Sequence, residues 1–302
     1  QAEEARVAAR VLPLTDRDRV TPGVRIRRPE AVPDPAAEGG GQAISPGLAM
    51  VPAPAPRLSG GTLVPGRDAP GAAPAEPAIM RNAARVEGPP DRPLMALVLV
   101  DPGPEDRAGR EALTALDLPL AVAADPAAPD SAALGAALRA AGQEVLLAGL
   151  DLPQGATPQD VEVSLAARLA ALPDAIGLMA REEGGFAEDR ALTGQVLDIL
   201  AEDGHGVLLW DAGLNAAYGA AQRAGRPAAL VYRRIDSRGA RAPEIERRLD
   251  RAAFEAARTG AVVVVGTARE ETLRALAEWS RGDRAAQVAL VPVSAIMRAG
   301  VD

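Results

Sequence analysis

The sequence has 302 residues and a formal net charge of −8, with a pI near 5.0; this acidic balance excludes a general nucleic-acid binder, whose affinity rests on a surplus of cations over phosphates. All 33 basic side chains are arginines and there is no cysteine, so Schiff-base lysines, phosphate-loop lysines, disulfides, zinc ribbons and thiol nucleophiles are excluded. No apolar run reaches the roughly eighteen residues of a membrane-spanning helix.

Residues 1–93 contain no Phe, Trp or Tyr and hold most of the 27 prolines. Such a segment cannot bury enough apolar surface to offset roughly 1–2 kcal/mol of backbone entropy per residue, and a disordered Pro/Gly/Ala-rich segment is expected over 1–93. Its alternating run from Val51 to Pro56 favours polyproline II, a spacer extended by about 3.1 Å per residue. The chain opens at Gln1 rather than Met, which raises the expectation of a removed leader or a missing N-terminal membrane anchor.

From Leu94 strands alternate with helices, and one α/β domain is expected over 94–302. Leu94 to Val100 is an apolar run of strand length, followed by a helix near Glu105 to Leu116. Strands are predicted at Leu118 to Ala123, Glu144 to Leu150 and Ala175 to Met179, with helices at Ser131 to Ala141 and Pro158 to Leu172 between them. Thr157 is placed to cap the second of these, with Pro158 at its first position. An amphipathic helix follows at Glu188 to Asp203, then a strand at Gly206 to Trp210 and a helix at Leu214 to Ala224. Ala228 to Ile235 and Ala261 to Val265 are predicted strands, each followed by a helix, at Ala242 to Thr259 and Glu270 to Ser280; Val288 to Val293 is read as the last strand. Strands that are apolar throughout have both faces covered. Seven or eight such units predict a (β/α) barrel.

In this architecture, sites form where strand C-termini meet the following loops. Four aspartates fall there: Asp101, Asp151, Asp211 and Asp236. Gathered in one mouth, they could hold a hard cation or divide into acid and base roles; the plainer reading is that each caps a loop. The single histidine, His205, falls in a helix-to-strand turn at the opposite end and reads as solvated. No Gly-x-Ser-x-Gly, Gly-x-Gly-x-x-Gly or phosphate-loop motif occurs.

The order of strand ends from Leu94 to Met297 resembles the divergent polysaccharide deacetylases (the YibQ-like group). Where that family's first strand ends in Asp-Asp-Leu-Gly, this chain has Val100-Asp101-Pro102-Gly103. The family's Gly-His-Glu-Val-Leu-Leu-His-Leu-Pro-Met-Glu-Pro corresponds to Gly142 through Pro153, with Ala148 in place of the second histidine and Leu152 in place of the second glutamate. Its Asn-Asn-His-Met-Gly corresponds to a run that places Arg181 at the histidine, and its Phe-Leu-Asp-Ser to Leu209-Trp210-Asp211-Ala212. In Val265-Gly266-Thr267-Ala268-Arg269 both histidines of Ile-Gly-His-Pro-His are replaced. The closing Leu-Val-Pro-Leu-Ser matches Leu290 through Ser294.

The resemblance implies a deformed (β/α) barrel of the polysaccharide deacetylase type, a periplasmic or other extracytoplasmic setting, and an N-terminal anchor in the inner membrane. With the family's histidines gone, no divalent metal or other cofactor is expected, and Arg181 and Arg269 would pair with the aspartates or touch a ligand. The leading expectation is a catalytically inactive domain that binds a cell-envelope glycan or protein. The alternative is an active carbohydrate hydrolase that uses two of the four aspartates as acid and base, and a pure scaffold is the third class.

Overall fold

The computed structural model describes residues 76–85, 91–152, 155–211, 213 and 215–300, all within one compact unit. Eight parallel strands are present: β1 (Leu94–Val100), β2 (Leu120–Ala124), β3 (Glu144–Ala148), β4 (Ala175–Met179), β5 (Gly206–Trp210), β6 (Ala228–Arg234), β7 (Ala261–Thr267) and β8 (Ala289–Leu290). Each of the first six pairs with the next, and β7 pairs back to β1, which closes a seven-stranded barrel. β8 joins the lower part of β1 through Leu94↔Ala289 and Met95↔Leu290, while β2 pairs with its upper part from Leu97↔Leu120 onward. That shared edge deforms the barrel.

The outer layer comprises α2 (Arg107–Ala115), α3 (Ser131–Ala140), α4 (Pro158–Ala171), α5 (Arg190–Glu202), α6 (Ala216–Arg223), α7 (Ala242–Thr259) and α8 (Glu270–Trp279). Each follows one strand, from α2 after β1 to α8 after β7, as the sequence predicts. Thr157 does cap α4, in a reciprocal pair with Asp160, and the Asp106 and Asp189 side chains cap α2 and α5 by accepting from backbone N–H groups of the first turn.

Strand side chains alternate between two cores. Met95, Leu97 and Leu99 of β1 face the helices, whereas Ala96 and Val98 face the barrel interior with Ala121, Ala123, Leu146, Ile176, Leu208, Val263 and Val265. Many inward residues are small, and the barrel is narrow. At Gly177 a Cβ would fall 2.1 Å from the Gly206 carbonyl oxygen, so β4 and β5 can approach there only without a side chain.

Two helices outside the repeating pattern close the base, the end where the strands begin. α1 (Ala78–Arg81) inserts Ile79, and α9 (Val293–Ala299) inserts Val293 and Met297, all buried in the interior core. Each such side chain contributes roughly 1.5–3 kcal/mol by leaving water. Glu144, fully buried at the start of β3, ties both to the barrel: its carboxylate accepts hydrogen bonds from Ala84 N at 3.0 Å, Ser294 N at 3.0 Å and Ser294 Oγ at 2.5 Å. Burial pushes its carboxyl above the ordinary range, and the Ser294 bonds oppose that rise.

Four expectations are corrected here. The segment read as spacer ends too late, because residues 76–85 carry α1 and residues 91–93 lead into β1, with Pro93 O accepting from Ala289 N; the remainder, at 1–75 and 86–90, lies outside the described residues. The last strand stops at Leu290, since Pro292 has no N–H to donate and Val293 begins α9. The third strand stops at Ala148, where Gly149 turns the chain at φ +63°. His205 is buried, at 6 % exposure, beneath α1, whose Ala78 N and Ile79 N donate to the carbonyls of Asp203 and Gly204 at 2.7 and 3.1 Å.

Candidate functional site

The barrel mouth is the rim formed by the strand C-termini, and three of the four predicted aspartates stand directly on it. Asp101 and Asp211 follow β1 and β5 without a gap, and Asp236 lies two residues beyond β6. Asp151 does not run straight out of its strand as the sequence reading had it. With β3 ending at Ala148, it sits in an exposed loop.

Asp101 is held by Arg110 from the first turn of α2. Arg110 Nε donates to Oδ1 at 2.8 Å and Nη2 to Oδ2 at 2.5 Å, while Nη1 donates to Asp130 Oδ2 at 2.5 Å. Gly103 N adds a longer bond to Oδ1 at 3.2 Å. The Asp101 hydrogen bonds push the Arg110 guanidinium further up from its already high value, against the opposing effect of burial.

Asp236 is almost fully enclosed, at 2 % exposure. Its Oδ2 accepts from Thr267 N at 2.7 Å, Arg269 Nη2 at 3.0 Å and Thr272 Oγ1 at 3.2 Å. Its Oδ1 is buried without a hydrogen bond and lies 3.9 Å from Arg234 Nη1. Arg234 in turn donates from Nε to Glu182 Oε2 at 2.7 Å and lies over the Trp210 ring, 5.3 Å from its centre.

Asp151 pairs with Arg181, and Arg168 approaches it at 4.0 Å. Asp211 is exposed and accepts from Asn215 Nδ2 at 2.9 Å and Gly213 N at 3.2 Å; these bonds, the Asn215 one foremost, hold its carboxyl below the usual range. A small cleft of about 70 Å³ opens beside it, lined by Arg181, Glu182, Trp210, Asn215 and Tyr218 among others.

The two arginines singled out in the sequence are therefore counter-ions at the mouth, serving different carboxylates, Arg181 on Asp151 and Arg269 on Asp236. Both remain about half exposed. Sequence reasoning missed Arg110, Asp130, Arg234 and Thr272. Arg233-Arg234 was the legible signal, a charged pair that ends an otherwise apolar strand. Arg110 gave none, because only the docking of α2 brings it to Asp101.

Residues 97–297 match the family described as divergent polysaccharide deacetylase. The chain belongs to that family. Its fold is similar to that of an uncharacterized protein ATU2773 from Agrobacterium tumefaciens C58, with a TM-score of 0.65 and 19 % identity over 73 % of this chain and 95 % of that one. Weaker likenesses run to a BA3943 mutant, described as a CE4 family pseudoenzyme with restored enzymatic activity (TM-score 0.48, 13 % identity, 70 % and 69 % of the two chains). Another is the catalytic domain of a peptidoglycan N-acetylglucosamine deacetylase from Eubacterium rectale ATCC 33656 (TM-score 0.43, 12 % identity, 70 % and 91 %). No curated protein matches the sequence.

In this divergent polysaccharide deacetylase barrel, the described carboxylates of the mouth do not form an open donor set for a divalent cation. Among the described residues no three His, Cys, Asp or Glu side chains are grouped to share an ion. The buried carboxylates that face the mouth, Asp101 and Asp236, already carry guanidinium partners.

Proposed function

We propose that this domain does not deacetylate sugars and acts instead by binding a glycan or a protein of the cell envelope at its mouth, without a metal cofactor. The observation that carries the reading is the pairing of Asp101, Asp151 and Asp236 with Arg110, Arg181 and Arg269. Hydrolysis of an N-acetyl group needs a group poised to take and return a proton. A carboxylate neutralised by a fixed guanidinium is a poor base, and no imidazole stands at the mouth. The half-exposed Arg181 and Arg269 offer donors suited to hydroxyl or carboxylate groups of a ligand. The adjoining cleft is well below the 300–1,000 Å³ of an enclosing ligand pocket, which favours a ligand lying across the rim. The setting that goes with this reading is extracytoplasmic, and no helix among the described residues is long and apolar enough to cross a membrane.

The carboxylate-only hydrolase requires two carboxyls about 5–10 Å apart, one of them with a raised pKa to serve as acid. Asp211, which no arginine pairs among the described residues, is shifted the other way. Incubating the purified protein with N-acetylglucosamine oligomers tests the proposal: no acetate release above buffer is expected, and Asp101→Asn should behave identically. Acetate release that Asp101→Asn abolishes would overturn it.

A further inference from the structure

We infer that the Arg110 guanidinium stands in for a divalent cation, and that it closes to metal a carboxylate pair, Asp101 and Asp130, which would take up a hard cation in its absence. This deepens the reading of the mouth as non-catalytic, and its test reads cation binding, not acetate.

Asp101 has a side chain only 3 % exposed. A carboxylate removed from water to that degree stays ionised only with a cationic partner. Arg110, itself 10 % exposed, supplies one through a two-point fork and reaches Asp130 with a third donor. Three of the five guanidinium donors thus neutralise and cross-link two carboxylates from separate segments, the exit of β1 and the residue before α3. A cation chelated by both carboxylates would perform the same two tasks. The planar fork differs in what it offers, since a guanidinium only donates hydrogen bonds and has no coordination position for a third ligand.

The placement is built into α2. Gly109, beside Arg110, sits where a Cβ would fall 2.4 Å from the Ala268 carbonyl oxygen and 2.9 Å from Asp106 Oδ2. Only glycine lets the first turn of α2 come this close to the end of β7, and that approach sets Arg110 against Asp101.

The test is titration of the full chain with Mn²⁺, followed by electron paramagnetic resonance and by thermal unfolding in chelator and in metal. The wild-type protein is expected to bind no Mn²⁺ at the mouth and to keep one Tm in both conditions. Arg110→Ala is expected to lower the Tm in chelator, to bind one Mn²⁺ at least about tenfold more tightly than wild type, and to regain Tm when Mn²⁺ is added. Arg110→Lys keeps a charge without the fork, and should show an intermediate Tm and no Mn²⁺ uptake. Arg110→Gln serves the same purpose if the alanine variant does not fold. Mn²⁺ binding to wild type that Asp101→Asn removes would overturn the inference. So would a folded Arg110→Ala or Arg110→Gln that binds no more Mn²⁺ than wild type, since Arg110 would then merely pack.

Discussion

His205 illustrates how a single buried group can make this domain sensitive to pH. Burial lowers its pKa from the ordinary value, Arg81 adds to the shift and Asp203 opposes it, and its Nδ1 has no hydrogen-bond partner. A histidine whose folded pKa is depressed contributes stability above the unfolded value near 6.5, and that contribution is lost as pH falls through it. Thermal or urea unfolding should therefore show stability declining from pH 7.5 to pH 5.5, with a shallower decline in His205→Gln. An identical slope in the variant would place the titration elsewhere. Glu144 works in the opposite sense, because its carboxyl is raised by burial and its protonation on acidification relieves a cost of folding. The difference between wild type and variant isolates the histidine. The sequence placed His205 in the right turn at the right end of the barrel, but burial depends on α1, a four-residue helix with no amphipathic period to reveal it.

Among the elements, the repeating units were legible and the closures were not. β1, β4, β5 and α7 have the bounds that apolar runs, caps and glycine stops predict, because each is specified by neighbours within its own segment. α1 and α9 are specified by what they plug. Val288 to Val293 reads as a strand from composition, yet the base of the barrel needs Val293 and Met297 inside it, and Glu144 holds Ser294 at the start of a helix. The same limit applies to the mouth: aspartates at strand exits could be read locally, but their partners Arg110 and Thr272 come from helices that pack against other strands. The contribution of α1 is testable through its one deep anchor. Ile79→Ala should destabilise the domain by about 2–5 kcal/mol in equilibrium denaturation, since Ile79 is 2 % exposed and packs against Gly206 and the barrel interior. A change under about 0.5 kcal/mol, the range of ordinary surface substitutions, would mean that α1 merely lies against the base.

At the scale of the molecule, the two ends of the barrel are chemically unlike. The mouth is rimmed with ion pairs, and the base is an apolar plug around the buried carboxylate of Glu144. The plug is drawn from both sides of the repeating units, since α1 precedes β1 and α9 follows β8. A chain truncated after Pro292 loses Val293, Met297 and the Ser294 donors, and is expected to unfold with reduced cooperativity when followed by near-ultraviolet dichroism of Trp210 and Trp279. Full cooperativity in that truncation would show that the first seven strands suffice. The position of α9 also bears on biogenesis. Contacts such as Glu144 to Ser294 span 150 residues, and contacts of that sequence separation form late because loop closure must come first. A ribosome releasing this chain from its N-terminus has made every strand of the closed barrel before the residue that seals it exists. The unfinished domain therefore spends its synthesis with an apolar floor that α1 alone covers, and depends on α9 to stop other chains from filling the rest.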